Sequence, residues 1–301
     1  MSKNPSTKKR KVIICGTDFT PAASHAADVA AAISRKSGMP LELVHAQPLL
    51  TCYPMKDALK SEADRLRGQK TDVRECVMEG KGIADEELVG LAKKKPCELI
   101  VVSSHGNRAP KRWLLGSTSE RTAERAGAPT LVVRSSDPFL QWTHGKRPLH
   151  VFVAFNQTRT SETALRWAKE LQAIGPCEIT VGYTYFLPEQ RAHLGFIGVT
   201  PLGGEPPELQ AILERNVGES AARILGASGF RTMVRPFWSH PENMLADMAE
   251  KSAADLLVVG SHQYHGFERV WSSSISRGLL HRAKMNVAVV PLATFRSKPA
   301  P

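Results

Sequence analysis

Short apolar runs recur along the chain, and each one ends in small or polar residues. The first half contains VIIC, LELV, LIVV and TLVV, in that order. Runs of this length are typical of strands that are buried on both faces of a parallel sheet. The pattern predicts five strands in the first half, near residues 11–17, 40–47, 71–78, 98–104 and 129–134.

Helical patterns lie between these runs. SHAADVAAAISRKSG is rich in alanine and ends in glycine, a favourable helix C-cap. DEELVGLAKKKP begins acidic and ends basic, as the helix dipole prefers, and its proline ends the helix. Alternating strands and helices predict right-handed βαβ crossovers. We therefore expect an α/β fold with a doubly wound parallel sheet and helices on both faces.

The whole unit is written twice. ELIVVSSHG at 98–106 matches DLLVVGSHQ at 255–263, an offset of 157 residues. Nearer the start of each half the offset is 138 to within one position, which sets Asp18 on Asn156. The difference of 19 residues predicts an insertion in the second copy. The segment 186–208 has the glycine and proline content of a loop and is its expected place.

Two domains follow from this repeat. The expected division is a basic tail at 1–10, a first domain at 11–136, a linker at 137–147, a second domain at 148–293 and a tail at 294–301.

Composition excludes several classes of protein. Hydrophobic residues make up 42% and charged residues 23%, as in an ordinary globular protein. The five cysteines include no CxxC pair, which argues against a disulfide framework or a zinc ribbon. The run VIICG is too short for a signal-peptide core, and the uncharged stretch from Ala192 to Gly204 is too short for a membrane span. We expect a cytoplasmic protein with no membrane partner.

The positive charge is unevenly placed. The net charge is +11, of which residues 1–147 hold +9. A basic half is compatible with nucleic acid, but no aromatic-basic RNA motif or recognition helix stands out. A surface that favours phosphate ligands, or that is simply soluble, is the preferred interpretation.

Candidate chemistry lies where two strands of the first unit end. In such sheets ligands bind at the carboxyl ends of strands, where the strand order reverses. The first strand ends in Gly16-Thr17-Asp18, and the fourth continues through Ser103 to Gly106 and a loop that reaches Gly116-Ser117-Thr118.

A helix opens after that loop, and its start has the pattern of a phosphate site. Ser117 to Glu120 fits a capping box, and the free amides of a helix start favour phosphate. Lys111 and Arg112 are placed to screen phosphate charge. Two alternatives stay open. One is that the start of this helix is an ordinary cap that holds no ligand. The other is that Asp18 is the N-cap of the first helix.

These residues carry a resemblance to a known family. Nucleotide-binding universal stress proteins have G-x2-G-x9-G-[ST] after the fourth strand and an aspartate after the first. Here Ser103-x2-Gly106-x9-Gly116-Ser117 differs only at its leading residue, and Thr17-Asp18-Phe19-Thr20 and WLLGSTSERTAERAGAPTLVVR also match. The chain resembles a tandem universal stress protein over about 270 of its 301 residues. The resemblance implies strand order 3-2-1-4-5 in each unit. It also implies that the last strands, TLVV and VAVV, pair the two units about a pseudo-twofold axis, as an intramolecular counterpart of the family's dimer. A homodimer of the whole chain is a further expectation.

The resemblance implies an adenine nucleotide, usually ATP, with Mg²⁺ as a candidate accompanying ion. By analogy the first-strand residues contact adenosine, Ala46 contacts adenine through its backbone, and the helix start binds phosphates. The implied site residues are Gly16, Thr17, Asp18, Ala46, Val102, Ser103, Gly106, Gly116, Ser117 and Thr118. The serine at 103 raises the question whether its side chain crowds the nucleotide or strains the backbone.

The second unit departs further from the motif. It keeps Gly260, but Gln263 replaces the second glycine, Ser273-Ser274 replaces Gly-Ser, and Asn156 replaces the aspartate. We expect this half to be degenerate for ATP. It then serves as a structural partner, or binds something else beside the insertion at 186–208.

Three functions remain at this stage. The first is a regulatory stress-response protein that binds ATP without rapid turnover and contacts a protein partner that the sequence does not identify. The second is a slow ATPase or autophosphorylating protein, and the third is a nucleotide-free interaction protein. Walker, GxGxxG and GxSxG patterns are absent, and His262 and His265 lack further ligands at metal spacing. We therefore assign no catalytic and no metal-binding residue.

Overall fold

The computed structural model describes residues 11–47, 55–79, 82–105, 115–186, 189, 207–261 and 275–295. The strands are β1 (Val12–Gly16), β2 (Leu41–Gln47), β3 (Val73–Glu79), β4 (Cys97–Ser103), β5 (Thr130–Val133), β6 (Leu149–Ala154), β7 (Cys177–Phe186), β8 (Phe230–Phe237), β9 (Leu256–Ser261) and β10 (Asn286–Pro291). The helices are α1 (Pro21–Ser37), α2 (Met55–Gly68), α3 (Ala84–Lys94), α4 (Ser117–Arg125), α5 (Asp137–Thr143), α6 (Arg159–Ile174), α7 (Pro207–Leu225), α8 (Pro241–Lys251) and α9 (Ile275–Arg282), and a 3₁₀ turn spans Leu292–Phe295.

The predicted elements of the first half are confirmed. Each of β1 to β5 begins and ends within two residues of its predicted bounds. Helix α1 ends where the sequence placed its cap, because Gly38 adopts the left-handed conformation with φ of 69°. Helix α3 ends at Lys94, directly before Lys95 and Pro96.

The strands form one sheet rather than two separate ones. Its order is β3-β2-β1-β4-β5-β10-β9-β6-β7-β8. Each half therefore has the expected order 3-2-1-4-5, with parallel pairing throughout. The two halves join through β5 and β10, which pair antiparallel.

The pairing of β5 with β10 has the predicted pseudo-twofold symmetry. Leu131 pairs with Ala288, and the repeat offset of 157 makes these two positions equivalent. On either side of them, Val132 pairs with Val287 and Thr130 with Val289. The axis that relates the two halves therefore passes through the Leu131–Ala288 pair.

The segment that joins the halves is packed against them. It contains α5, whose Phe139 and Trp142 are fully buried. Trp142 Nε1 donates a hydrogen bond to the Pro176 carbonyl at 2.9 Å. Arg147 binds both carboxylate oxygens of Asp255, at 2.6 and 2.8 Å. These contacts fix the connection to the second half.

The predicted insertion at 186–208 falls between β7 and α7. Strand β7 ends at Phe186 and α7 begins at Pro207. Apart from residue 189, the positions from 187 to 206 lie outside the described residues, as do residues 1–10 and 296–301.

Candidate functional site

The turn after β1 is built around Asp18. The Asp18 carboxylate accepts hydrogen bonds from the Thr20 hydroxyl at 2.6 Å and from the Thr20 amide at 3.2 Å. Thr20 in turn caps α1 by accepting from the amide of Ala23 at 3.1 Å. The alternative that Asp18 is the helix cap is therefore wrong. Asp18 instead orients the cap, and its own side chain is exposed.

The second half repeats this turn after β6. Phe19 and Gln157 both have a φ of 61°, and Thr158 caps α6 as Thr20 caps α1. Asn156 Oδ1 accepts from the Thr158 hydroxyl at 2.7 Å. The offset between the halves is therefore 138 here, and an amide oxygen suffices to build the turn. What Asp18 adds over Asn156 is its charge and a second acceptor oxygen.

Strand β4 ends against the start of α4. The Gly116 amide donates to the Ser104 carbonyl at 2.6 Å, and the Ser119 hydroxyl donates to the Ser103 carbonyl at 2.5 Å. The loop between them thus leaves and returns at one place. Its residues 106–114, which include the predicted site residue Gly106 and the predicted phosphate-screening Lys111 and Arg112, lie outside the described residues.

The predicted capping box at the start of α4 is wrong. The N-cap is Gly116, with φ of −73° and ψ of 142°, and no side chain caps the helix. Glu120 does not reach back, because its carboxylate binds two side chains of α9. The amides of Ser117, Thr118 and Ser119 consequently have no acceptor within the described part of the chain. Such amides, together with the helix dipole, favour an anion.

Ser103 replaces the leading glycine of the motif without straining the backbone. Its φ is not positive, and its hydroxyl donates to the His105 carbonyl at 3.1 Å. Side chains alternate along β4, and Val102 packs in the apolar cluster beneath α3 and α4. Ser103 therefore faces the opposite side of the sheet, toward α1. His105 also bonds locally, with Nδ1 2.9 Å from the Ser104 hydroxyl.

Gly260, the counterpart of Ser103, has a packing role. A Cβ at this position would lie 2.2 Å from the Thr160 carbonyl oxygen, at the start of α6. The glycine is thus required because the backbone of α6 approaches β9 closely. Its presence in the second half therefore has a packing explanation.

Gly16 also has a packing role, since a Cβ there would lie 2.9 Å from Leu88 Cδ1 of α3. A Cβ at Gly116 would meet its nearest atoms, His105 Cα and Ser104 O, at 3.5 and 3.6 Å, which are ordinary contacts. The fold itself therefore has room for a side chain at Gly116. Nothing within the described residues demands glycine there.

The topology brings most of the predicted site residues to one edge of the sheet. Strand β1 pairs with β2 on one side and with β4 on the other, so their carboxyl ends are adjacent. The residues at this edge, or at the start of α4 beside it, are Gly16, Thr17, Asp18, Ala46, Val102, Ser103, Gly116, Ser117 and Thr118. Thr17 is tied to the neighbouring strand by its amide, which donates to the Val44 carbonyl at 2.9 Å.

Sequence reasoning missed an inter-half contact beside this site. Glu120 of α4 accepts from Arg277 Nε at 2.8 Å and lies 3.1 Å from His281 Nε2. Burial acts to raise the pKa of Glu120, but the hydrogen bonds and charges of His281 and Arg277 outweigh it and lower that pKa below its ordinary value. The repeat offset of 157, which places Arg277 on Glu120, was the available signal.

His45 was named only as the neighbour of Ala46, yet it braces the first turn. Its Nδ1 lies 2.9 Å from the Thr17 carbonyl, and its ring lies 4.6 Å from that of Phe19. His45 is buried, and no described residue forms a hydrogen bond with its Nε2.

The described ranges contain no group of three or more His, Cys, Asp or Glu side chains that is placed to hold a metal ion. None of the helices they contain has the length and hydropathy needed to cross a bilayer.

Comparison with known proteins agrees with this architecture. The model of the universal stress protein family matches residues 9–134 and again 149–291. A universal stress protein of Mycobacterium tuberculosis is 27% identical over 196 residues, which are 64% of this chain and 61% of that protein, so the match spans less than two thirds of the relative. Another, from Methanocaldococcus jannaschii, is 42% identical over 53 residues, 18% of this chain and 31% of that protein.

Solved structures show the same fold over nearly the whole chain. A universal stress protein from Archaeoglobus fulgidus superposes with a TM-score of 0.64 and 14% identity, covering 93% of this chain and 96% of that one. A protein of unknown function from Pseudomonas aeruginosa superposes with a TM-score of 0.65 and 13% identity, covering 97% and 98%. With two matches of the family model along most of its length, the chain belongs to the universal stress protein family.

Proposed function

We propose that the first half binds ATP at the carboxyl ends of β1 and β4, and that the protein acts in regulation rather than catalysis. The second half does not bind ATP. The observation that carries the proposal is the start of α4, where three amides have no acceptor among the described residues, beside the edge of the sheet at which Asp18 also lies.

The phosphates are assigned to the start of α4. The amides of Ser117, Thr118 and Ser119 supply donors, and the hydroxyls of Ser117 and Thr118 supply two more. Gly116 carries no side chain at the helix start, and a Cβ there would meet its nearest described atoms at 3.5 Å or more. This donor set suits a polyphosphate, and Gly106 completes it by analogy with the family.

The adenosine is assigned to the end of β1. Asp18 uses Oδ1 to hold Thr20, and its Oδ2 has no donor within the described part of the chain. An exposed carboxylate oxygen of this kind accepts from a hydroxyl or an amino group. Ala46 and Val102 lie on the same side of the sheet as α3 and α4 and form the floor beneath the nucleotide.

The core beneath the end of β6 is packed differently from that beneath β1. Phe152 of β6 lies over β7 so closely that a Cβ on Gly182 would be 1.9 Å from Phe152 Cζ. The repeat places Gly182 on Val44 of the first half, and Ala154 on Gly16. The methyl group of Ala154, where the first half has a glycine, supports the proposal that only the first half takes a nucleotide.

Mg²⁺ would enter this site with the nucleotide rather than as a resident ion. The Asp18 carboxylate and the hydroxyls of Ser117 and Thr118 are oxygen ligands of the types that Mg²⁺ prefers.

Four further expectations remain predictions. They are the division into domains at 137–147, the cytoplasmic location, the protein partner and a homodimer of the chain.

The first experiment is mass spectrometry of small molecules released from the purified full chain, followed by titration with ATP. We expect ATP to co-purify or to bind on titration, and to remain intact during one hour with labelled nucleotide. Labelled product or labelled protein would favour the slow enzyme. A chain that neither carries nor binds nucleotide would favour the interaction protein.

A further inference from the structure

Helix α4 makes charged contacts on two of its sides. Its sequence, STSERTAER, contains one apolar residue, Ala123. On one side, Arg121 and Arg125 bind the buried carboxylate of Asp85 in α3, at 3.1 and 3.3 Å. On the other side, Glu120 binds α9 of the second half. The second half thus contacts the same helix whose start is assigned to the phosphates.

Glu120 occupies an unfavourable position for a phosphate site. It is the third residue after Ser117, so its Cα lies only about 5 Å along the helix axis from that of the first helical residue. A carboxylate there carries the same sign of charge as the ligand and is attracted to the same helix dipole. Its side chain is only 17% exposed, so solvent alone screens it incompletely.

The second half supplies Glu120 with a countercharge, that of Arg277, and with a second contact, that of His281. Arg277 and His281 both contact Glu120 Oε1, from successive turns of α9. Because Glu120 and Arg277 are equivalent positions that touch each other, their contact lies at the pseudo-twofold axis. Two first halves paired in the same way would bring two Glu120 side chains together, and their charges would repel.

Helix α9, the counterpart of α4 in the second half, does not have the pair that Arg121 forms with Asp85. Gly278 stands at the position of Arg121, and Glu242 stands at that of Asp85. Glu242 fills the space, since a Cβ on Gly278 would lie 2.5 Å from Glu242 Cγ. The charged contacts of α9 are thus directed to the first half.

We propose that Arg277 and His281 are positioning residues for the nucleotide site of the first half, and that they act by neutralising Glu120. This inference rests on the proposed ATP site and gives the second half a role in it. The second half is retained because its last helix makes α4 fit for phosphate.

The test measures ATP affinity in full-chain variants by calorimetry. We expect the pair R277Q/H281Q to weaken binding about fivefold at low salt, because the Glu120 charge is then uncompensated. Adding E120Q to that pair should restore affinity, although it removes the last member of the contact. E120Q alone should bind at least as tightly as the unmodified chain. R282Q removes a cation from the same helix and serves as the control with unchanged affinity.

The rescue separates neutralisation from a merely structural contact. If R277Q/H281Q binds ATP as the unmodified chain does, or if adding E120Q fails to restore binding, the inference is wrong while the ATP site stands. The fivefold loss should shrink in 0.5 M salt, since screening weakens a charge effect. An unmodified chain that binds no ATP would overturn the proposed function and this inference together. Thermal unfolding of each variant verifies that it is folded.

Discussion

The two halves of this chain build the same turn after their first strand and different surfaces beside it. Phe19 and Gln157 share a φ of 61°, and Thr20 and Thr158 cap the following helices in the same way. Asp18 and Asn156 both hold those caps through one oxygen. The turn is therefore a property of the fold that both halves share. The residues that favour a ligand are not needed to build it.

The glycines of the two halves also separate what the fold requires from what a ligand would require. Gly260 matches the nucleotide motif better than Ser103 does, yet it is required by the approach of α6. Gly116 matches the motif and has room for a side chain. A motif glycine that its described neighbours do not require is the more informative one, because the proposed ligand supplies a reason for it.

The largest expected effect is at Gly116. Gly116→Glu should weaken ATP binding at least about 100-fold, or about 3 kcal/mol, because it places a carboxylate at the phosphate end of α4. Gly127→Glu adds the same charge just beyond the other end of α4, where nothing lies within 4 Å, and should leave affinity unchanged. Calorimetric titration compares the two. Equal affinities would show that the site is misplaced.

The second effect concerns stability, and here the larger change is expected in the second half. Gly260→Ala should lower the free energy of unfolding by about 2 kcal/mol, because the new Cβ collides with the Thr160 carbonyl. Ser103→Ala, its counterpart, removes one hydrogen bond and should cost less than about 1 kcal/mol. Urea unfolding measures both. A tolerated Gly260→Ala would contradict the packing role.

The third comparison exchanges the turn residues. Asp18→Asn should preserve stability, since Asn156 already builds this turn, and should weaken ATP binding about tenfold by converting a free acceptor into a donor. Asn156→Asp, the reverse change in the second half, should leave ATP binding as it is. If both variants bind ATP alike, Asp18 makes no contact with the nucleotide.

The smallest effect is the pH dependence of the contact between the halves. The pKa of folded Glu120 lies below its ordinary value of 4.5, so ionised Glu120 stabilises the folded state above pH 4.5, and this contribution is lost as pH falls through the lower folded value. Glu120→Gln should cost about 0.5 kcal/mol at pH 7 and less near pH 3. Urea unfolding at both pH values checks this, with Glu124→Gln on the same helix as the control. An equal cost at the two pH values would contradict it.

The sequence predicted the fold well because its signals are local. Apolar runs and the cap at Gly38 gave the strands and the end of α1, and the family resemblance gave the strand order within each half and the pairing of β5 with β10. The start of α4 was misjudged because a capping box depends on where the helix begins and on which partner takes Glu120. That partner is Arg277, 157 residues away, and only the folded pairing of the halves brings it near.

The packing of Gly260 against Thr160 could not be predicted for the same reason. The glycine fits the motif in sequence, and the contact that requires it lies between β9 and α6, 100 residues apart along the chain. Conversely, the alternation of side chains along β4, which turns Ser103 away from Val102, follows from the strand itself.

Calorimetric titration of the full chain with ATP, alone and with Gly116→Glu, tests the difference between the halves most directly. We expect one nucleotide per chain in the unmodified protein and none in the variant at the same concentrations. Two nucleotides per chain, or one that survives Gly116→Glu, would show that the second half binds ATP or that the site lies elsewhere.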